Sequence, residues 1–367
     1  MPFLRKIVFY VFLIIYFIIC PMLILRLLGF VFDKPSKHWV KTGIIYVSSN
    51  PPDANVYING LLALEKTPTV IRDLAPGNYV VRMELPNYVP WENAVPVVDK
   101  KATSIENILL IPREWDSKTI HQREISNIIG LPSANCLLTL SNDNVSNILI
   151  FHLNEQDEPD YLFPQESIYR EGRLVRYFTV PQSPFIIMQI DLGDKHKYLW
   201  IDPREKLVHI EDISDLISSP PQKLEWEPND EKNIYASYGG TINRINIKAK
   251  AIYPNIDEKS THYEKKKILL LAPPKSDQSF IINNDNTFLF RQSTDVYLMD
   301  NLPETQARLT KILIVREGTD IFFYEKDGKL YFIDQKTRKL TSITVLHHKP
   351  FIPKPIAETL RLKKLEE

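Results

Sequence analysis

Cysteine is nearly absent from the sequence, with two residues in 367. Cys20 sits inside an apolar N-terminal run, which leaves Cys136 as the one thiol of the remaining chain and excludes both an internal disulfide there and a Cys-x-x-Cys metal site. Glycine is scarce as well, 11 residues against 27 prolines. The glycine-built phosphate loops GxGxxG and GxxxxGK(S/T) are missing, as are the HExxH metal helix and the GxSxG nucleophile elbow. An excess of one charge is also lacking: 45 Lys and Arg balance 45 Asp and Glu. No net field draws the chain to a polyanion, and no nucleic-acid partner is expected. These absences predict no catalytic, cofactor-binding or metal-ligating residues and no cofactor.

What is abundant points to strands. Tyr and Phe stand at 17 each beside the 27 prolines, a mix suited to many short strands and turns, so the chain is read as mainly β. Its length predicts two or more domains. Across residues 7–25 every side chain is apolar, aromatic, Cys or Pro, and after Arg26 the pattern resumes through Phe32. About 20 such residues span a ~30 Å hydrocarbon core. The reading is a short tail over 1–6, a transmembrane helix over 7–32 and a juxtamembrane linker over 33–42, in which Trp39 is an interfacial aromatic. The run exceeds the ~7–15 residues of a cleaved signal's apolar region, so a retained anchor with the lipid bilayer as partner is expected. Arg5 and Lys6 on one side and Lys34, Lys37 and Lys41 on the other leave the orientation undecided by charge. Large domains after a short tail commonly translocate despite their charge, so a single-pass cell-membrane protein with extracytoplasmic C-terminal domains is expected.

After the linker, Ile45-Tyr46-Val47 leads into Pro51-Pro52-Asp53-Ala54. Val56 and Ile58 then alternate up to Asn59-Gly60, a strong hairpin signal because both residues tolerate positive φ. Pro68 and Pro76 limit strand ends, Gly77 supplies turn geometry, and Tyr79, Val81, Met83 and Leu85 follow a period of two. This order, with Lys66-Thr67-Pro68, Leu74-Ala75-Pro76-Gly77-Asn78-Tyr79, Pro86-Asn87-Tyr88 and Trp91, resembles the PEGA domain over residues 43–112. The naming tetrapeptide appears here as Pro52-Asp53-Ala54 after Pro51, with the acidic-glycine pair replaced. The resemblance implies a small β-sandwich without catalytic residues, a spacer or adhesion module near an envelope surface. A sandwich of the immunoglobulin or transthyretin type shares the alternation and turn spacing. Tyr79 and Trp91 are read as core.

Residues 117–345 repeat an apolar strand ending in Asp or Asn: 148–154, 198–202, 242–246, 296–300 and 330–334. The average spacing of about 45 residues lies in the range of propeller blades. Trp226, Pro228 and Asp230 resemble the turn between strands in TolB-like and WD40-like propellers, with Asn229 intervening. That likeness implies a β-propeller of at least five repeat units, while a twisted open sheet or a second sandwich satisfies the same strand rhythm. The strand-ending Asp and Asn residues read as turn formers. Lys265-Lys266-Lys267 reads as a solvated edge, and residues 346–367 as a tail. His347 and His348, if on a strand, point to opposite faces.

The expected function is a membrane-anchored, noncatalytic binding or scaffold protein of the cell envelope, with a protein or envelope glycan as partner. One alternative is a propeller-based hydrolase of an envelope glycan that uses Glu225, Glu227, Asp230 and Glu231. Another is a purely structural surface stalk.

Overall fold

The computed structural model describes residues 2–33, 38–153, 158–179, 183–193, 195–217, 219–227, 230–238, 241–253, 278–282, 287–300 and 308–347. Among the described residues strand far outweighs helix, so the mainly β expectation holds. The chain divides into two compact units. The first takes residues 1–114 with 326–328 and the chain from 344, and the second takes 115–325 with 329–343.

The first unit opens with α1 (Pro2–Leu27). Its Phe9–Leu27 stretch, mean hydropathy 2.4, is long and apolar enough to cross a membrane, and Phe12, Ile14, Phe17, Ile18 and Met22 are exposed around it. The helix ends earlier than the apolar run. Gly29, at φ +75°, takes the left-handed conformation that closes helices, and its N–H donates to the Arg26 carbonyl at 3.0 Å. Residues 30–32, expected to continue the helix, instead belong to β1 (Phe30–Asp33), paired with β2 (His38–Lys41). Aromatic and β-branched side chains suit a strand once the helix has stopped. The expected linker therefore contributes a strand of its own.

Seven strands follow: β3 (Gly43–Asn50), β4 (Asn55–Ile58), β5 (Leu61–Leu62), β6 (Thr69–Leu74), β7 (Gly77–Glu84), β8 (Trp91–Val97) and β9 (Ala102–Leu109). They form two sheets, β6-β3-β9 and β5-β4-β7-β8, and β3 runs parallel to β9. Alternation sets the core: Val81 and Met83 of β7 are buried between neighbours that are exposed or half-buried, as are Trp91, Val95 and Val97 of β8.

Two segments that look separate in the sequence are joined here. The Asp53 N–H donates to the Thr67 carbonyl, and Thr67 N–H donates to the Ala54 carbonyl, both at 2.9 Å. The Ala54 N–H donates to Thr67 Oγ1, also at 2.9 Å. Ala54 is fully buried, which explains a methyl side chain. Asp53 has φ +71° and stands where the naming tetrapeptide carries glycine. Asp tolerates that region better than most residues. Asp53→Gly is therefore expected to leave stability within about 1 kcal/mol, because relieved strain offsets unfolded-state entropy. Asp53→Val should lose about 1–2 kcal/mol. Thermal unfolding of the two variants checks the order.

The second unit contains five four-stranded antiparallel sheets. Its first strand, β10 (Ser117–Glu124), is followed by β11 (Asn127–Leu131), β12 (Cys136–Leu140), β13 (Leu149–His152) and β14 (Asp160–Tyr161), which make sheet one. Sheet two is β15 (Arg173–Thr179), β16 (Ile186–Asp191), β17 (His196–Asp202) and β18 (His209–Asp212). Sheet three is β19 (Lys223–Glu227), β20 (Asp230–Tyr238), β21 (Thr241–Asn246) and β22 (Ala251–Tyr253). Sheet four is β23 (Gln278–Ile282), β24 (Thr287–Gln292), β25 (Asp295–Asp300) and β26 (Arg308–Ile314). Sheet five holds β27 (Phe322–Tyr324), β28 (Lys329–Ile333) and β29 (Lys339–Thr344), completed by β10 pairing with β29. Each sequence repeat falls in its own sheet. Four lie on the third strand and 330–334 on the second strand of sheet five.

The apolar runs are continuous because both faces are covered. In β12, Leu138 packs in a core shared by sheets one and two, while Leu137 packs in the core shared by sheets one and five. In β16, Met188 faces the sheet-one side and Ile187 joins Leu224, Trp226 and Ile234 of sheet three. Alternate residues of one strand thus serve different neighbours. Gly130 permits close approach of sheets one and five, since a Cβ there would meet the Phe322 ring at 2.0 Å.

Candidate functional site

The residues singled out in the first unit hold its turns and core. Asn59 (φ 49°) and Gly60 (φ 82°) form the β4–β5 turn, in which Ile58 pairs with Leu61. Asn59 Oδ1 also accepts the Val80 N–H at 2.8 Å. Pro68 directly precedes β6, and Pro76 directly precedes Gly77 at the start of β7. Tyr79 is half-buried, and its hydroxyl donates to the Ala75 carbonyl at 2.8 Å. Trp91 is buried opposite Met83.

In the second unit Trp226 is 4% exposed, with its ring 6.0 Å from that of Phe185. Pro228 lies outside the described residues. Asp230 opens β20 and pairs with Glu227, but the side chains of Asp230, Glu225, Glu227 and Glu231 are outside the described ones, as are Lys265, Lys266, Lys267 and His348. Among the described residues, no group of His, Cys, Asp and Glu has metal-binding geometry.

Among the described residues, one meeting of polar groups from several sheets was not visible in the sequence. It is the segment 315–321, which leads into β27. Val315 N–H donates to the Thr294 carbonyl of sheet four at 2.8 Å, and Arg316 N–H to the Ile333 carbonyl of sheet five at 3.2 Å. Arg316 Nη1 reaches the Ile125 carbonyl before sheet one at 3.1 Å. Asn127 Oδ1, at the start of β11, accepts the Asp320 N–H at 2.8 Å. Gln278 Oε1, at the start of β23, accepts the Ile321 N–H at 2.7 Å. Arg291 of sheet four donates to the Thr319 carbonyl. From sheet two, the Tyr177 hydroxyl donates to Asp320 Oδ2 at 3.0 Å. Burial first, and then the Asp320 charge and hydrogen bond, raise the Tyr177 pKa well above the usual phenol value. One short segment therefore carries contacts from sheets one, two, four and five. Its partners are scattered through the sequence, so neither a motif nor a period marks it.

Two other groups have chemical potential. Cys136 and His152 are cross-strand partners with Sγ and Nδ1 3.3 Å apart. The thiol is fully buried and lies against the Ala134 and Pro203 carbonyls at 3.1 and 3.3 Å. Asp300 ends β25, 9% exposed, with Thr287 Oγ1 donating to it at 3.4 Å. Burial raises its pKa to about 6, against the opposing pull of Arg308 and Thr287. A raised folded pKa means the contribution to stability is full below the unfolded value of 3.8 and is lost as pH rises through about 6. Asp300→Asn is expected to stabilise the fold by about 1–2 kcal/mol at pH 7 and not at pH 3.5. Denaturant unfolding at both pH values checks this.

No curated protein matches the chain. Similar solved structures include the β-propeller domain of Cps50 (Swd1) from Myceliophteria thermophila, at 10% identity and TM-score 0.31, covering 62% of this chain and 99% of that one. An auxiliary nutrient binding protein from Bacteroides ovatus has 10% identity and TM-score 0.28, covering 82% and 97%. A Cicer arietinum albumin showing hemagglutination has 12% identity and TM-score 0.23, covering 52% and 94%. Residues 42–109, the segment that carries β3 to β9, match the PEGA domain.

Proposed function

We propose that this chain is a membrane-anchored, noncatalytic binding or scaffold protein of the cell envelope, with its five-sheet unit acting as a five-bladed propeller head. The observation that carries the reading is the segment 315–321, on which four of the five sheets converge by hydrogen bonds. Shared cores link sheets five, one, two and three in series, and β10 completes the sheet formed by the last three strands, as expected of a closed ring. The central polar groups are engaged with one another, so Tyr177 and Asp320 act in assembly. Loops from several blades then offer a broad binding surface, with a protein or envelope glycan as partner. In this reading α1 is the single membrane span, and the domains after it lie outside the cytoplasm.

Full-length protein in detergent, screened against envelope glycans, peptides and chromogenic hydrolase substrates, is expected to show saturable binding without turnover. Turnover abolished by one acidic substitution with the fold intact would replace this reading with the hydrolase. Protease added to cells, after opening any outer membrane, is expected to digest the domains beyond Lys41. Their protection would reverse the topology.

A further inference from the structure

The hairpin that follows α1 has two unlike faces. Phe32 and Trp39 are direct cross-strand partners, so their side chains leave the same face, with ring centres 5.6 Å apart in a T-shaped contact. Phe30 and Lys41, also partners, lie two residues along on that face, and the Lys41 ammonium sits 5.2 Å from the Phe30 ring centre. Val31 and Val40 occupy the opposite face and are half-buried. The aromatic face is open: Phe32 is 46% and Trp39 41% exposed, continuous along the chain with Leu27 at 87% and Leu28 at 63%.

The hairpin's position is fixed at the helix end. The Gly29 carbonyl accepts from both the Thr42 N–H, at 2.9 Å, and the Thr42 hydroxyl, at 3.1 Å, which clamps the hairpin base to the glycine that closes α1. At about 3.3 Å per strand residue, Phe32 and Trp39 lie within ~10 Å of Gly29. The layer flanking the hydrocarbon core is of similar depth, ~5–10 Å. Trp there, and cationic side chains such as Arg26 and Lys41, match a boundary that is apolar on one side and carries phosphates on the other.

We propose that the β1–β2 hairpin is a lipid-binding collar. Phe32 and Trp39 enter the acyl boundary, Arg26 and Lys41 meet lipid phosphates, and the first β module is held against the membrane. The inference rests on α1 being the membrane span. In the test, full-length protein is reconstituted into phosphatidylcholine and phosphatidylglycerol vesicles, with and without lipid brominated near the headgroup. Helix α1 contains no tryptophan, so quenching does not report on the span itself. Brominated lipid is expected to quench a component of the tryptophan emission, and Trp39→Phe is expected to remove that component while leaving the chain vesicle-bound through an alkaline wash. Protein that survives the wash but shows the same quenching in wild type and Trp39→Phe, or none in either, overturns the collar and leaves the span intact. Release of wild-type protein by the wash overturns the span and the collar together.

Discussion

Trp226→Ala is expected to lower the unfolding free energy of the five-sheet unit by about 3–5 kcal/mol. The indole is 4% exposed and lies in a core with Phe185, Ile187 and Trp200 of the sheet-two side and Leu224, Ile234 and Ile245 of sheet three. Its removal withdraws a large apolar surface from both sheets at once, and β strands do not collapse readily into such a void. Trp226→Phe should cost much less. It keeps a ring beside Phe185, and among the described residues the indole Nε1 has no hydrogen-bond partner to lose. Denaturant unfolding of the full chain in detergent separates the two variants. Equal, small losses for both would show that the sheet-two to sheet-three core does not depend on this side chain.

Trp226 was legible as part of a turn between strand-like runs, and its burial follows from the core in which β19 packs. The strand repeats were legible for another reason. Strands covered on both faces cannot alternate, so they read as unbroken apolar runs such as Ile148-Leu149-Ile150-Phe151 and Tyr198-Leu199-Trp200-Ile201, with 242–246 the exception, since Asn243 and Arg244 stand between its isoleucines. The end of α1 was not legible from hydropathy, since 30–32 is as apolar as the helix. The signal lay in Gly29 followed by an aromatic and β-branched triplet, a change of backbone preference at constant hydropathy. Segment 315–321 left no signal at all. Asn127, Tyr177, Gln278 and Asp320 are ordinary polar residues far apart in the chain, and only the folded sheets bring them to one place. Replacement of the naming tetrapeptide's glycine by Asp53 looked like a departure, but the backbone keeps the glycine-like φ and Asp tolerates it.

Tyr177→Phe is expected to cost about 1.5–3 kcal/mol, the range for a hydrogen bond to a charged group. The hydroxyl joins sheet two to the segment preceding β27 by its 3.0 Å bond to Asp320 Oδ2. No single strand ladder makes that connection. Asp320→Ala removes the same acceptor while keeping the backbone N–H that Asn127 Oδ1 accepts, so the double variant should lose less than the sum of the single losses. A coupling of about 0.5–3 kcal/mol from the cycle would establish the contact, and strict additivity would remove it as a tie between sheets. The pH dependence supplies an independent reading. The folded pKa of Tyr177 is raised by burial and by the Asp320 charge, so its contribution is complete below the unfolded value near 10 and is lost as pH climbs through the higher folded value. Wild-type stability should therefore fall above pH 10, and part of that slope should vanish in Tyr177→Phe. If the variant unfolds with the same alkaline slope as wild type, the hydroxyl is not held by Asp320 in the folded protein.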